Sequence, residues 1–190
     1  MVDRMTESDW VEVMKERMTT AAISHSDHLQ VKVNLKVPYG YEIRAYEPEP
    51  NSEKVSFRTD LVIVEEQAIK QWKPRVIIEA KIRSVTTHDA IIYSHKAAAH
   101  KAVHPYLRYG MLIGGRDHYP LPGRLYRHGA HFDFMMSFQS FEPTEQEMLD
   151  LVHLLHAEIE ASRQLERITY ESRKPGRDRY TVLHRRLELK

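Results

Sequence analysis

The stretch FRTDLVIVEEQAIKQWKPRVIIEAK, from Phe57 to Lys81, places two apolar runs of strand length on either side of a polar connection. Two neighbouring strands are expected from it. In the second run a period of two sets Val76, Ile78, Ala80 and Ile82 on one face and Ile77, Glu79, Lys81 and Arg83 on the other. One face suits a core; the other carries charge in mid-strand. Asp60 interrupts the first run, FRTDLVIV, where a β-former would pack better. A carboxylate at such a place needs a chemical reason.

A metal site supplies one. Adjacent strands lie about 4.8 Å apart and magnesium takes oxygen ligands at roughly 2.1 Å, so carboxylates on neighbouring strands can share one ion. Asp60 and Glu79 fit that arrangement if the strands pair in register. Lys81, on the same face as Glu79, would set its ammonium beside a phosphate held by the ion and help orient or activate the attacking water. The chemistry implied is phosphodiester hydrolysis. Without a metal, the same residues read as a surface ion pair of Glu79 with Lys81 or Arg83 on a solvated strand face.

With these residues the chain resembles the PD-(D/E)xK nuclease superfamily, that of the restriction endonucleases. Asp60 stands for the motif's aspartate and Glu79-Ala80-Lys81 for its (D/E)-x-K; Thr59 stands where the motif name has proline. The family's order of strand with Asp, strand with E-x-K, helix and strand is matched over residues 57–114, whereas the second E-x-K, Glu188-Leu189-Lys190, lacks that setting. The resemblance implies an α/β fold with a mixed central sheet flanked by helices, restriction-endonuclease-like. It also implies magnesium-dependent cleavage of double-stranded DNA.

A chain of 190 residues is long enough to bury a sizeable core and reads as a single domain, with a catalytic core at about 57–114 and a basic segment at 173–190. Cysteine is absent, which excludes disulfides and thiolate metal sites. The polar start MVDRMTESDW has no apolar targeting core and no run is long enough to span a bilayer, so a cytoplasmic protein without membrane contact is expected. With 28 basic and 27 acidic residues, any DNA affinity must come from local clusters.

Taken from the start, Thr6 and Asp9 form a capping box, and Trp10, Met14, Met18 and Ala21 follow at helical spacing, predicting an amphipathic helix over 7–23. Related nucleases can add a metal-ligand glutamate from such a helix. Glu12 and Glu16 point away from the apolar stripe and Glu7 lies near it; none is assigned. Alternation from Leu29 to Val37 predicts a half-buried strand, a turn at Pro38-Tyr39-Gly40 leads to a short strand at 41–46, and EPEPNSEK reads as a polar loop. Glu42, Glu47, Glu49 and Glu53 read as solvated charge.

Thr86 and Asp89 cap a second helix running to about Val103. Its small apolar stripe, Ile91, Ala98 and Ala102, is expected to meet the sheet, with Tyr93, Lys96, His100 and His104 on the opposite face. The resemblance implies that this helix directs basic or polar groups toward the site or the DNA, which singles out Tyr93, Lys96 and His100. His100 and His104 also have the spacing of a zinc pair, but Lys101 stands where a zinc hydrolase would need glutamate.

After a strand at 106–112, the irregular basic segment RDHYPLPGRLYR offers Arg116, Arg124 and Arg127 for phosphate or guanine contact, or else forms an ordinary surface loop. A strand at 132–138 follows. Thr144 and Glu147 then cap a long helix with Met148, Leu151, Leu155 and Ile159 on one face, and Tyr180 to Leu183 could add a short strand. The compact chain suits a Type II restriction endonuclease acting as a homodimer, since cutting both strands of a palindrome calls for two sites about a two-fold axis. A junction resolvase or repair nuclease, a nuclease subunit of a larger complex and a catalytically silent DNA-binding protein are the alternatives.

Overall fold

The computed structural model describes residues 5–21, 28–68, 70–171, 174–176, 179–184 and 187–190. In chain order the elements are α1 (Glu7–Thr20), β1 (Leu29–Val33), β2 (Lys36–Glu47), β3 (Glu49–Arg58), β4 (Leu61–Ala68), β5 (Gln71–Ile82), α2 (Thr87–Val103), β6 (Arg108–Gly114), α3 (Gly123–His128), β7 (Phe134–Ser137) and α4 (Glu145–Tyr170). The fold is mixed α/β. Five strands form a sheet in the order β1-β4-β5-β6-β7, antiparallel from β1 to β5 and parallel from β5 to β7, while β2 and β3 form a separate two-stranded ribbon.

Period-two alternation divides the sheet into two faces. Leu61 and Ile63 of β4, Val76, Ile78 and Ala80 of β5 and Leu112 of β6 pack under α1 and α4, against Trp10, Met14, Met18, Leu151, Leu155 and Ile159. Val62, Val64, Ile77 and Tyr109 turn the other way, beneath α2 and the base of the ribbon. Burying each large apolar side chain contributes roughly 1.5–3 kcal/mol, so this one-residue alternation fixes the register. Glu79 and Asp60 have the parity of the α2 face.

The three long helices begin at the capping boxes expected of them, Thr6 with Asp9, Thr86 with Asp89 and Thr144 with Glu147. Helix α4 is further tied to the sheet by charge. Arg75, with 3% of its side chain exposed, lies 2.5 Å from Glu65 and 2.6 Å from Glu166. Truncating one partner of such a buried pair typically costs about 3–5 kcal/mol, because the other charge is left uncompensated.

Several elements differ from the sequence reading. The alternation from Leu29 does not continue to Val37, because Asn34 adopts φ +55° and redirects the chain into β2. The EPEPNSEK segment is mostly β3 rather than a loop, and Pro38-Tyr39-Gly40 lies inside β2. A two-stranded ribbon consists of edges only, so Pro38 and Pro50 cost it little of the ladder that proline would break in a central strand. Residues 22 and 23 of the first expected helix lie outside the described residues. The basic segment after β6 is not wholly irregular, since Gly123–His128 forms α3. Residues 180–183 carry no strand and are exposed.

The apolar and polar stripes of α2 are reversed. Ala90, Ser94, Ala97 and His100 are buried, whereas Ile91 and Ile92 are 49% and 41% exposed. The reason lies in the sheet face below, which carries the carboxylate of Glu79. Burying a carboxylate without a partner costs more than leaving two isoleucines half in water. Turning Lys96 inward meets the larger demand.

Candidate active site

The antiparallel register of β4 and β5 pairs Leu61 with Ile78 and Val62 with Ile77, so the next step outward brings Asp60 opposite Glu79. Asp60 sits just before β4. Its Oδ2 accepts the N–H of Ala80 at 2.9 Å, which ties the carboxylate to the strand that carries Glu79 and Lys81. The sequence expectation of two acids on neighbouring strands thus finds a geometric counterpart, with Asp60 at the strand mouth rather than within the strand.

Glu79 is 1% exposed, and its Oε1 receives the Lys96 ammonium at 2.8 Å and the Tyr109 hydroxyl. Burial pushes its carboxyl up to about 7, against the pull of the Lys96 ammonium, and the negative charge of Asp60 adds to the rise. Tyr109 is itself raised well above an ordinary phenol, first by burial and then by Glu79, so it remains a hydrogen-bond donor. Two acids that repel one another in a partly dry place favour a proton or a cation between them. Their hard oxygen donors fit magnesium, which is held through one or two carboxylates with substrate oxygens and water completing its shell. Among the described residues, no group of three or more His, Asp or Glu side chains is assembled for a metal.

Lys81 is clasped from two sides. Its Nζ lies 3.0 and 3.2 Å from the two carboxylate oxygens of Glu7 and 4.7 Å from the centre of the Tyr93 ring. Burial pulls the ammonium pKa down, but Tyr93 and Glu7 outweigh it and hold Lys81 above an ordinary lysine, fully charged. The Tyr93 ring also faces Lys96 at 4.8 Å. A line of alternating groups therefore runs from Glu7 through Lys81, Tyr93 and Lys96 to Glu79 and Tyr109.

Glu7 and Tyr109 are the members that the sequence did not assign. Glu7 stands three residues before Trp10 and seven before Met14, on the edge of the stripe that faces the sheet, and that spacing was its signal. Tyr109 is a phenol in an otherwise apolar strand, where burial obliges the hydroxyl to find a partner.

The groups expected to touch DNA fall into different settings. Tyr93 and Lys96 point into the acid cluster. His100 is fully buried, its Nε2 3.2 Å from the Val37 carbonyl and its ring between Tyr109 and the stacked pair of Tyr39 and Phe57. Burial pushes His100 down to about 4, so at neutral pH it carries no charge for a phosphate and holds the ribbon to α2. The zinc pair is redirected in the same way, since His104 Nδ1 lies 3.2 Å from the His100 carbonyl.

Arg116 is 6% exposed, and its guanidinium donates to the carbonyls of His118, Arg83 and Pro120 at 2.9, 3.3 and 2.9 Å. It organises the loop. Arg124 and Arg127 are exposed on α3 and retain the cationic surface expected of this segment. The tip of the ribbon beyond Lys54 is unsuited to phosphate, with exposed Glu42, Glu47, Glu49 and Glu53 against Arg44, which pairs with Glu53.

These settings separate the three arginines experimentally. Arg116→Ala is expected to lower stability by about 1–3 kcal/mol, by leaving carbonyls of the loop without their charged donor. Arg124→Ala and Arg127→Ala should leave stability within about 0.5 kcal/mol and each reduce the salt slope of DNA binding by about one unit. Denaturant unfolding and binding titrations at several salt concentrations check both; a flat salt slope for the α3 variants removes that helix from the interface.

Comparison with protein-family models gives no match, and comparison with curated proteins gives none either. Among the described residues no helix is long and apolar enough to cross a membrane.

Proposed function

We propose that this chain is a magnesium-dependent endonuclease of double-stranded DNA, of the restriction-endonuclease-like type, acting as a Type II restriction enzyme in a homodimer. The observation that carries the reading is the placement of Asp60, at the mouth of β4 and hydrogen-bonded to the Ala80 N–H, opposite Glu79 of β5, with Lys81 two residues beyond Glu79 on the same strand. Asp60 and Glu79 would hold the ion. When bound, magnesium supplies Lewis-acid polarisation of a phosphate oxygen and lowers the pKa of coordinated water.

The chain's own residues have distinct tasks. Lys96 and Tyr109 fix Oε1 of Glu79, and Ala80 fixes Oδ2 of Asp60, so the two carboxylates are oriented before substrate arrives. Lys81 offers a full positive charge to the negative charge that grows on the phosphate during attack. Glu7 and Tyr93 hold that ammonium in place and keep it protonated. Arg124 and Arg127 supply exposed cations for the DNA backbone.

Lys81→Ala is therefore expected to slow single-turnover cleavage by roughly 100-fold while changing DNA affinity by less than about ten-fold, because its charge is used mainly in the transition state. A loss confined to affinity would make Lys81 a phosphate anchor instead. Plasmid, linear duplex and four-way-junction substrates tested side by side with magnesium distinguish the nuclease types. Discrete fragments from plasmid fit a restriction enzyme, and cutting restricted to the junction fits a resolvase. Binding of every substrate without cleavage of any would identify a silent DNA-binding protein.

A further inference from the structure

A second site lies at the opposite end of β5. The base of the ribbon, the start of β5 and the end of α2 enclose an open groove of about 650 Å³, lined among others by Lys36, Lys54, Ser56, Trp72, His104 and Tyr106. That volume is within the range of small-molecule sites, roughly 300–1,000 Å³. The ribbon register pairs Lys36 with Arg58, Pro38 with Ser56 and Tyr41 with Lys54, which brings the two lysines and the serine hydroxyl to one side. No acidic side chain lines the groove, and among the described residues neither lysine is engaged by a carboxylate.

The remaining walls are aromatic. Tyr106 is 7% exposed and is held from behind by the Arg75 guanidinium, 5.5 Å from its ring centre. Trp72 is 37% exposed. His104 Nδ1 faces the His100 carbonyl, which can only accept, so Nδ1 carries the proton and Nε2 is left as an acceptor. Two lysines without a carboxylate partner among the described residues, a hydroxyl, a ring-nitrogen acceptor and two aromatic rings match the parts of one ligand class. Ammonium groups take phosphate, an aromatic ring takes a base face, and the acceptor takes a sugar hydroxyl or an exocyclic amine.

We propose that this groove binds a nucleoside phosphate unit, either a free nucleotide or an unpaired nucleotide at the end of a nucleic acid strand. The occupant is not the phosphate at the acid pair. Trp72 and Glu79 are seven residues apart on one strand, about 23 Å at 3.3 Å per residue. The inference stands on its own residues and does not rest on the nuclease reading.

Tryptophan emission provides the test, because the chain has two tryptophans, Trp10 is fully buried and only Trp72 can meet a base. The full chain, without magnesium, is titrated with dAMP, with single-stranded (dA)8 and with inorganic phosphate. A saturable quench by dAMP identifies a free-nucleotide site, and a quench by (dA)8 but not dAMP identifies a strand-end site. In either case the Lys36→Ala/Lys54→Ala variant should bind at least ten-fold more weakly, and Trp72→Phe should lose the quench while calorimetry still reports binding. The proposal is overturned if neither dAMP nor (dA)8 binds by quench or calorimetry, or if inorganic phosphate binds as tightly as both. It is also overturned if the lysine variant binds as the parent does. Because no step of this test involves cleavage, its failure and that of the nuclease reading are separable.

Discussion

Relative to the parent, Glu79→Gln is expected to gain about 3 kcal/mol of stability between pH 4.5 and pH 8, on top of a pH-independent offset from leaving Lys96 without its carboxylate. The ordinary value for a glutamate is 4.5, and burial raises that of Glu79 to about 7. Between these values the folded protein holds a proton that the unfolded chain has released. The contribution of Glu79 to folding stability is therefore fullest below about pH 4.5, falls by roughly 1.4 kcal/mol per unit as pH rises, and levels off beyond pH 7. Glutamine keeps the shape and removes the ionisation, so the variant should lack the decline. Urea unfolding at intervals from pH 4.5 to 8 measures it. Parallel curves for parent and variant would show that Glu79 titrates as an ordinary surface acid, and the dry, paired carboxylate described above would be withdrawn.

Asp60→Asn tests the partner. The amide oxygen can still accept the Ala80 N–H, so the fold and the β4–β5 mouth should persist, while one anionic ligand is lost. Cleavage in magnesium should fall on the order of 100-fold or more, with duplex binding still measurable because the phosphate contacts remain. The same change should also narrow the pH window in which stability declines, since the charge of Asp60 is one cause of the raised Glu79 value. That second readout moves only if the two acids interact. A variant that cuts at the parent rate would remove Asp60 from the site.

How much of this could be read from residues alone depended on whether the signal was local. Three capping boxes and the alternation of β4 and β5 are properties of neighbouring residues, and the elements formed where those patterns lay. The pairing of Asp60 with Glu79 followed from the same alternation. What escaped was set by partners distant in sequence. Helix α2 turned its alanine and lysine side to the sheet because Glu79 needed a cation, and a helix read on its own hydrophobicity could not report that. Arg116 and His100 looked like exposed cations, yet the first serves loop carbonyls and the second is a neutral core side chain. Strand β3, which opens with Pro50, Asn51 and Ser52 after Glu49, exists because β2 offers it an antiparallel partner.

We propose that Asp60 and Glu79 form one magnesium-dependent hydrolytic site. Its most direct measurement is the conversion of supercoiled plasmid to nicked and linear forms by the purified parent and by Asp60→Asn, each with magnesium and with EDTA. Conversion by the parent is expected in magnesium and not in EDTA, and conversion by the variant in magnesium on the order of 100-fold or more slowly. A parent that leaves the plasmid intact in magnesium while binding it, or a variant that cuts as fast as the parent, would contradict it.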